Sequence, residues 1–331
     1  MLVRRLLDLT MHGITEFNLV ERGEPLVVAL SGGKDSLSLC LALRQLGIDF
    51  TAVVVDMGYE VEWAERVYSR ASSVGIEPEV VNVRSVVKRT GDQYVTLANN
   101  LAVLDRPQSS ADTFTPCTYC YNAKVIALEE AACRLGASRI AFGHHQTDAC
   151  ASLLKEALMH IDRWDHGHDV YRRSNFEGLV ASLHDEAAQY STEDDPDTPL
   201  LCRIAALVQE GLVDTDEPPR QRLRDGSDID IVRPMFFVDE ALISAHVAHA
   251  KLHTEGSGCG HGATLNTQTP REMVHFRVLA RVNPSAFGRY LTRLLRSCVT
   301  ENGSARVKAR RKRRQLLGDT YKPVAVGLDK L

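Results

Sequence analysis

The sequence predicts an α/β fold, a doubly wound parallel sheet with helices on both faces. Apolar runs typical of buried strands alternate with segments whose apolar residues recur at helical spacing. Several of the runs end at glycine or charged residues, and the carboxyl ends of parallel strands are where such sheets bind ligands. The 331 residues, 44% apolar and 25% charged, can bury a large core and are typical of a globular protein.

The elements of this fold are predicted in chain order. Leucines at helical spacing predict an amphipathic helix within residues 1–22. The alternation that follows predicts strands at Leu26–Leu30, Phe50–Asp56, Glu79–Val83 and Ile140–Gly143, and helices at Leu37–Leu46, Glu60–Val74 and Ala123–Leu135. A later strand is predicted at Ile229–Pro234, with helices at Glu240–Leu252 and Pro270–Leu279.

An acidic segment interrupts the alternation. From His160 to Asp230 there are 17 acidic and 7 basic residues. Stretches such as Ser191–Asp197 are typical of a loop, whereas Leu200–Leu212 indicates a helix. The predicted organisation is an N-terminal helix (1–22), an α/β nucleotide-binding domain (23–160), an acidic insertion (161–228), the completion of that domain (229–300) and a basic tail (301–331).

The basic tail contrasts with a net charge of -4 for the whole chain. From Glu301 onward there are 9 basic and 3 acidic residues, with a run at Lys308–Arg314. Two interpretations stay open, contact with a phosphate backbone and a solvated helix end. Because no signal peptide or membrane-spanning stretch is apparent, we expect a cytoplasmic protein without a membrane partner. Its eight cysteines are then thiols or metal ligands rather than disulfides.

The turn after the first predicted strand reads Ser31-Gly32-Gly33-Lys34-Asp35-Ser36. Backbone N–H groups at a strand-to-helix turn favour an anion, and glycines let the backbone approach it closely. Lys34 adds a positive charge, while Ser31 and Ser36 add hydroxyl donors. The turn therefore predicts a phosphate site without the Walker A spacing, and a tight turn without a ligand is the alternative.

Cysteines form a second motif. Cys117 and Cys120 have the C-x-x-C spacing just before a predicted helix, and Cys259 is a third candidate ligand. Three thiols suit a 4Fe-4S cluster with one open iron that could bind sulfide. The alternatives are zinc held by these three cysteines and His261, a redox dithiol, and simple buried cysteines. Core packing is predicted for the other five: Cys40, Cys133, Cys150, Cys202 and Cys298.

The turn resembles the SGGxDS pyrophosphate loop of the PP-loop ATP pyrophosphatases, which cleave ATP to AMP and pyrophosphate. Over residues 10–160 and 229–280, the order of motifs looks like the tRNA 2-thiocytidine synthetase branch of that superfamily. These motifs are Phe17–Gly23, the Ser31–Ser36 turn, Asp56, the C-x-x-C, Gly143-His144-His145-Gln146-Thr147-Asp148 and Val232-Arg233-Pro234.

The resemblance implies an adenine nucleotide alpha hydrolase-like fold and the ATP-dependent replacement of a carbonyl oxygen by sulfur on a tRNA cytidine. It implies a 4Fe-4S cluster held by Cys117, Cys120 and Cys259. The implied cofactors are ATP, Mg²⁺ and this cluster, with zinc as the alternative. The implied partners are tRNA or another nucleobase-containing substrate, a cysteine desulfurase or other sulfur donor, and a second copy of the chain in a homodimer.

Roles follow for individual residues. Catalytic roles are expected for Lys34, Asp35, Cys117 and Cys120. The expected nucleotide site consists of Ser31, Gly32, Gly33, Lys34, Asp35, Ser36, Asp56, Gly143, His144 and Asp148. Within it, Asp35 and Asp56 are expected to hold Mg²⁺ or the loop itself. His144 and Asp148 are expected either to orient substrate or magnesium, or to cap a helix.

This chain departs from the family pattern at three places. Tyr121–Lys124 follows the C-x-x-C where the family has an arginine-rich turn, Thr147 replaces one aspartate, and Gly256 stands where another cysteine is common. Three rival functions therefore stay open. They are an adenylating ligase with an amine acceptor and structural zinc, a sulfurtransferase with a non-tRNA acceptor, and a nucleotide- or RNA-binding protein without catalysis.

Overall fold

The computed structural model describes residues 2–60, 62–88, 90–91, 93, 116–166, 173–190, 197–223, 226–256, 270–282 and 285–301. They divide into two compact units. The first contains the described residues of Met1–Pro107, Asp112–Gln146 and Glu217–Thr267, and the second those of Thr147–Asp216 and Gln268–Leu331.

The first unit is built on a six-stranded sheet with the order β3-β2-β1-β4-β6-β5. The strands are β1 (Leu26–Ala29), β2 (Thr51–Asp56), β3 (Glu79–Asn82), β4 (Arg139–Ala141), β5 (Arg220–Arg222) and β6 (Asp230–Val232). Every pair is parallel except β5 with β6. The predicted doubly wound parallel sheet is confirmed, with an antiparallel edge strand that the sequence analysis did not include.

The central strand explains why the apolar runs predict the sheet so well. Leu26, Val27 and Val28 of β1 are almost completely buried, because β1 has a strand on each side and helices on its faces. The chain runs from β1 to β2 and β3 on one side, then returns to β4 on the other. The carboxyl ends of β1 and β4 therefore form a topological switch point, where ligands of this fold class bind.

The helices are α1 (Leu2–Phe17), α2 (Lys34–Gln45), α3 (Trp63–Ser73), α4 (Val83–Val87), α5 (Pro116–Arg134), α6 (Gln146–His166), α7 (Arg173–Gln189), α8 (Pro199–Gln209), α9 (Glu240–His249), α10 (Pro270–Val274) and α11 (Ser285–Arg296). Turns of π-helix continue α10 at His275–Leu279 and α11 at Ser297–Glu301. No described helix is both long enough and apolar enough to cross a membrane.

Two helices of the first unit begin earlier than predicted, and both differences affect the site. α2 begins at Lys34 rather than Leu37, so the end of the Ser31–Ser36 turn is already helical. α5 begins at Pro116 rather than Ala123, so the C-x-x-C lies inside the helix instead of before it. Proline suits the first helical position because the N–H that it lacks would have no partner there.

The described residues of the second unit are mainly helical, and its part of the acidic segment contains α7 and α8. Phe176, Val180, Leu183 and Ala187 of α7 are fully buried and recur at helical spacing. The helix predicted at Leu200–Leu212 is present as α8 (Pro199–Gln209), and α7 is a further helix of this segment that was not predicted. The charged residues lie between the buried positions, which lowers the average hydropathy without removing the helical period.

The cysteines outside the two motifs are only partly as predicted. Cys40, Cys150 and Cys298 are buried, and burial raises the pKa of the Cys40 and Cys150 thiols to about 12. These two thiols are therefore protonated at neutral pH. Cys133 and Cys202 are exposed, so their predicted core packing is wrong. Each lies on the outward side of a helix whose other side supplies the buried residues.

Candidate active site

The turn between β1 and α2 has the geometry of an anion site. Gly32 has a φ of +77°, and a Cβ atom there would lie 2.6 Å from Val67 Cγ2 of α3, so only glycine fits without displacement. Gly33 is the N-cap of α2 and has no side chain to accept from the first helical N–H groups. The N-terminus of α2 therefore carries its partial positive charge without a capping side chain.

The two serines of the turn hold it closed. The Ser31 backbone N donates to Ser36 Oγ at 3.1 Å, and the two hydroxyl oxygens are also 3.1 Å apart. Ser36 Oγ donates in turn to the Gly33 carbonyl at 3.1 Å. These bonds fix the path of the backbone around the two glycines, which is a structural task in addition to the predicted one of contacting phosphate.

Lys34 lies between two carboxylates at the start of α2. Its Nζ is 2.7 Å from Asp35 Oδ1 and 3.0 Å from Glu240 Oε1 of α9. Burial lowers the pKa of Lys34, but the hydrogen bonds and charges of Asp35 and Glu240 outweigh it and raise the pKa above its ordinary value. Lys34 is therefore a stable cation. No motif in the sequence points to Glu240, which only the fold brings to this place.

The two histidines after β4 have different neighbours. His145 is buried, and its Nε2 lies 3.5 Å from Asp35 Oδ1. His144 Nδ1 accepts from Arg233 Nε at 3.3 Å and lies 3.5 Å from Glu217 Oε2. His144 is one of the predicted site residues and His145 is not, although both belong to one motif. Consecutive residues in an extended segment point to opposite sides, which separates their environments.

Gly143 joins the two sides of the switch point. A Cβ atom on it would lie 2.7 Å from Ser36 N and 2.9 Å from the Asp35 carbonyl carbon. The backbone after β4 therefore touches the first turn of α2, and glycine is needed for this approach. The structure thus brings Gly143 together with the residues of the Ser31–Ser36 turn.

The remaining predicted nucleotide residues are two aspartates. Asp56 ends β2, where its Oδ1 accepts from Gly58 N at 2.9 Å and its Oδ2 accepts from Asn82 Nδ2 at 3.2 Å. These bonds orient the Asp56 carboxylate at the carboxyl end of β2, the edge of the sheet at which the Ser31–Ser36 turn also lies. Asp148 lies in the first turn of α6, within the second unit.

A cavity of about 290 Å³ opens beside the turn. Its apolar lining comes from β1, β2, α3 and α5, and its polar groups come from the turn, from Lys124 of α5 and from a segment near residue 255. The lining residues are Ala29, Leu30, Ser31, Gly33, Val53, Val55, Trp63, Lys124, Leu128, Glu255 and Gly256. A flat heterocycle with a polar substituent directed to the turn suits this combination.

The C-x-x-C lies on α5, one of the helices that line the cavity. Cys117 is in the first turn of this helix, and Cys120 is one turn further along, buried, with its Sγ in contact with the Tyr59 hydroxyl. Cys259 and His261 lie outside the described residues. Among the described side chains, which do not include Cys117, no group of three or more histidines, cysteines and carboxylates is placed to hold a metal ion.

Comparisons with known proteins confirm the resemblance stated above. The chain is 33% identical over 165 residues to a tRNA-cytidine(32) 2-sulfurtransferase of Anaeromyxobacter sp. (strain K). This alignment covers 47% of this chain and 50% of that protein. It is 32% identical over 158 residues to the enzyme of the same name from Neisseria meningitidis serogroup C, covering 46% of this chain and 44% of that one. The chain therefore spans about half the length of the curated relatives it matches.

A solved structure confirms the fold. The U34-tRNA thiolase NcsA from Methanococcus maripaludis, determined with its [4Fe-4S] cluster, aligns over 91% of this chain and 82% of its own, with a TM-score of 0.53 and 16% identity. At this level of identity the likeness concerns the fold alone. No protein-family model matches the chain.

Proposed function

We propose that this protein is an ATP-dependent tRNA thiolation enzyme. It adenylates a base carbonyl of the cytidine type, replaces the oxygen by sulfur, and releases AMP and pyrophosphate. The curated relatives that match part of the chain carry the name of this activity, which supports the proposal. In this proposal the enzyme acts in the cytoplasm, as a homodimer, with a cysteine desulfurase or other sulfur donor.

The observation that carries the proposal is the N-terminus of α2. It combines a glycine N-cap, a cationic Lys34 and a neighbouring apolar cavity in one short stretch of the first unit. These features supply what ATP needs, since the cavity suits adenine and the turn suits the β- and γ-phosphates. A nucleotide in this pose has its α-phosphate between the cavity and the turn.

The first step is adenylation. The carbonyl oxygen of the base attacks the α-phosphorus, and the bond from that phosphorus to the pyrophosphate oxygen breaks. Negative charge grows on the departing pyrophosphate, where Lys34 and the N–H groups of α2 stabilise it. Asp35 and Asp56 have carboxylates at this edge of the sheet and are proposed to hold Mg²⁺.

The second step exchanges oxygen for sulfur. Hydrosulfide attacks the ring carbon that carries the adenylate, a C–S bond forms, and the C–O bond to AMP breaks. The oxygen leaves with AMP, and the proton of hydrosulfide passes to solvent, so the step needs no oxidant or reductant.

The thiols fit the proposed cluster in their chemistry. Cys117 and Cys120 are three residues apart in the sequence of α5, and soft thiolate ligands suit iron as well as zinc. Cys259 is proposed as the third ligand. When bound, a cluster with one open iron supplies a binding place for sulfide.

The test is mass spectrometry of tRNA nucleosides from cells with and without the gene. We expect one thionucleoside to disappear with the gene and to return with the wild-type chain but not with Lys34→Ala. Lys88→Ala is the matched control, because it removes an exposed lysine at the end of α4, and should restore the nucleoside fully. An unchanged nucleoside profile in the deletion strain contradicts a tRNA substrate.

A second measurement separates the cluster from the rival with structural zinc. Protein purified without oxygen should contain iron and acid-labile sulfide, and Cys117→Ser should lose both together with thiolation. Zinc without iron contradicts the cluster. Full AMP-forming activity of Cys117→Ser with an amine acceptor favours the adenylating ligase instead.

A further inference from the structure

The segment Thr254–Gly256 is fastened to the nucleotide turn and to α3. The Glu255 backbone N donates to the Gly32 carbonyl oxygen at 2.9 Å. Arg70 of α3 donates to the Thr254 carbonyl at 2.6 Å, and Trp63 Nε1 donates to the Gly256 carbonyl at 2.9 Å. Three consecutive residues are therefore held by hydrogen bonds, and two of them line the cavity.

The Glu255 side chain adds a charged clamp to these bonds. Its Oε1 lies 2.6 Å from an Arg70 guanidinium nitrogen and 3.4 Å from Arg66 Nε, and the side chain is only 13% exposed. Arg66 is held from its other side by Glu60 at 2.8 Å. The buried Glu255 Oε1 makes no hydrogen bond to the described residues, so the carboxylate is attracted to the two guanidinium groups by charge, an attraction that is screened less here than in open solvent.

The bond to Gly32 determines which way one peptide group faces. In a trans peptide the C=O and the following N–H point in opposite directions. Holding the Gly32 oxygen toward Glu255 therefore turns the Gly33 N–H the other way, to the side where Ser31 Oγ lies at 3.4 Å. Gly32 has no side chain and a positive φ, so this orientation needs support from another part of the chain.

We propose that Glu255 is a positioning residue for the nucleotide turn. Its ion pairs with Arg66 and Arg70 hold the Thr254–Gly256 segment, and the segment's hydrogen bond to Gly32 fixes the orientation of the Gly32–Gly33 peptide group in the turn that is proposed to bind the phosphates. The inference rests on the proposed function, because it takes ATP as the ligand. It assigns to a glutamate more than two hundred residues from the turn the task of preorganising that turn.

The test measures ATP affinity by calorimetry for the full chain and its Glu255→Gln variant, which keeps the shape of the side chain and removes its charge. We expect the dissociation constant to rise about tenfold, the effect of weakening one charge-assisted interaction. Glu79→Gln is the matched control, because it removes a carboxylate paired with Arg134 elsewhere in the first unit. It should leave the affinity unchanged.

Tryptophan fluorescence gives an independent reading. The chain has two tryptophans, so Trp164→Phe leaves Trp63 as the single reporter, hydrogen-bonded to the segment itself. ATP should change the Trp63 emission in this background, and Glu255→Gln should reduce that change. Should Glu255→Gln fail to fold, Arg70→Ala and Arg70→Lys test the same clamp, with the weaker affinity expected for alanine and partial rescue for lysine.

The outcomes separate this inference from the proposed function. A wild-type chain without affinity for ATP overturns the proposed function and this inference with it. A wild-type chain that binds ATP while Glu255→Gln binds it equally well, with the same Trp63 response and only a lower melting temperature, makes Glu255 purely structural. That result overturns the clamp and leaves the proposed function standing.

Discussion

Two helices of the first unit begin next to each other, and their N-termini are completed in opposite ways. α9 has Asp239 as its N-cap, whose Oδ1 accepts from Leu242 N at 2.7 Å. α2 has Gly33 in the same position, without a side-chain acceptor, and Lys34 in its first turn is 3.0 Å from Glu240 of α9. A side chain of the protein accepts a hydrogen bond from one of the first N–H groups of α9. The first N–H groups of α2 have no capping side chain, so they and their positive partial charge can bind an anionic ligand.

The largest expected effect on ATP affinity comes from giving α2 an aspartate N-cap like that of α9. Gly33 has an extended backbone, with φ -73° and ψ 162°, so Gly33→Asp can form a cap there. The new carboxylate would occupy the N–H groups and repel phosphate, and we expect ATP binding to weaken by about 3 kcal/mol, or roughly a hundredfold. Calorimetry measures the affinity, and a thermal melt should show an unchanged or higher melting temperature.

Gly33→Ala is the control for this change, because it adds a Cβ atom without an acceptor. Its Cβ would lie 3.4 Å from Ser31 Oγ, which is ordinary contact. Equal ATP affinity of the aspartate and alanine variants would contradict the interpretation of the α2 N-terminus as a phosphate site.

A smaller effect, on stability and on ATP affinity, is expected when the backbone after β4 is pushed away from the first turn of α2. Gly143→Ala places a Cβ atom 2.7 Å from Ser36 N, so the backbone must shift. We expect a loss of about 2 kcal/mol in the free energy of unfolding, the usual cost of overpacking, together with weaker ATP binding. Urea denaturation and calorimetry measure the two quantities.

Gly178→Ala is the matched control for a glycine-to-alanine change. Gly178 lies in α7, and nothing lies within 4 Å of its added Cβ. Alanine favours helix, so this variant should gain about 0.5 to 1 kcal/mol in stability. If Gly143→Ala were as stable as the wild type, the close approach of the two backbones would be wrong.

The capped helix should respond in stability and not in binding. Asp239→Ala removes the acceptor for Leu242 N, and we expect a loss of about 1 kcal/mol in the free energy of unfolding. Asp239→Asn keeps an acceptor and should lose less. ATP affinity should stay the same in both variants, and a large loss of affinity in Asp239→Ala would remove the contrast between the two N-termini.

The smallest effect concerns the contact between α9 and α2. Burial, followed by the charge of His249, lowers the pKa of His246 below its ordinary 6.5, and its Nδ1 lies 3.5 Å from Ser38 Oγ of α2. The stability from neutral His246 is present above pH 6.5 and is lost as the pH falls through the lower pKa of the folded state. Urea denaturation from pH 7.5 to 5 should show this loss, with a flatter profile for His246→Gln. Parallel profiles would contradict the shift.

Much of the fold could be predicted because its signals are local. β1 is a continuous apolar run, as expected of a strand covered on both faces, and its bounds in the structure differ from the prediction by one residue. The turn after it carries two glycines, a lysine and two serines within six residues. When strand, turn and helix start are adjacent in sequence, the chemistry of the turn can be recognised without tertiary information.

The residues that the sequence analysis missed are distant in the chain from those they contact. Glu240 and Glu255 meet Lys34 and the Gly32 carbonyl only after folding, and as single charged residues they are no different in sequence from surface glutamates. β5 was missed for a related reason. Its Arg220 and Arg222 give no apolar alternation, and they are stabilised instead by Asp230 on the neighbouring strand.

The charged strand β5 has a consequence for how the folded sheet meets other copies of the chain. It borders the sheet as a three-residue antiparallel strand, and its arginines are ion-paired with the mostly buried Asp230. The unpaired N–H and C=O groups of an edge strand can pair with an extended segment of another chain. A short strand with guanidinium groups is a poor template for such pairing, so this edge disfavours the addition of a strand from another copy.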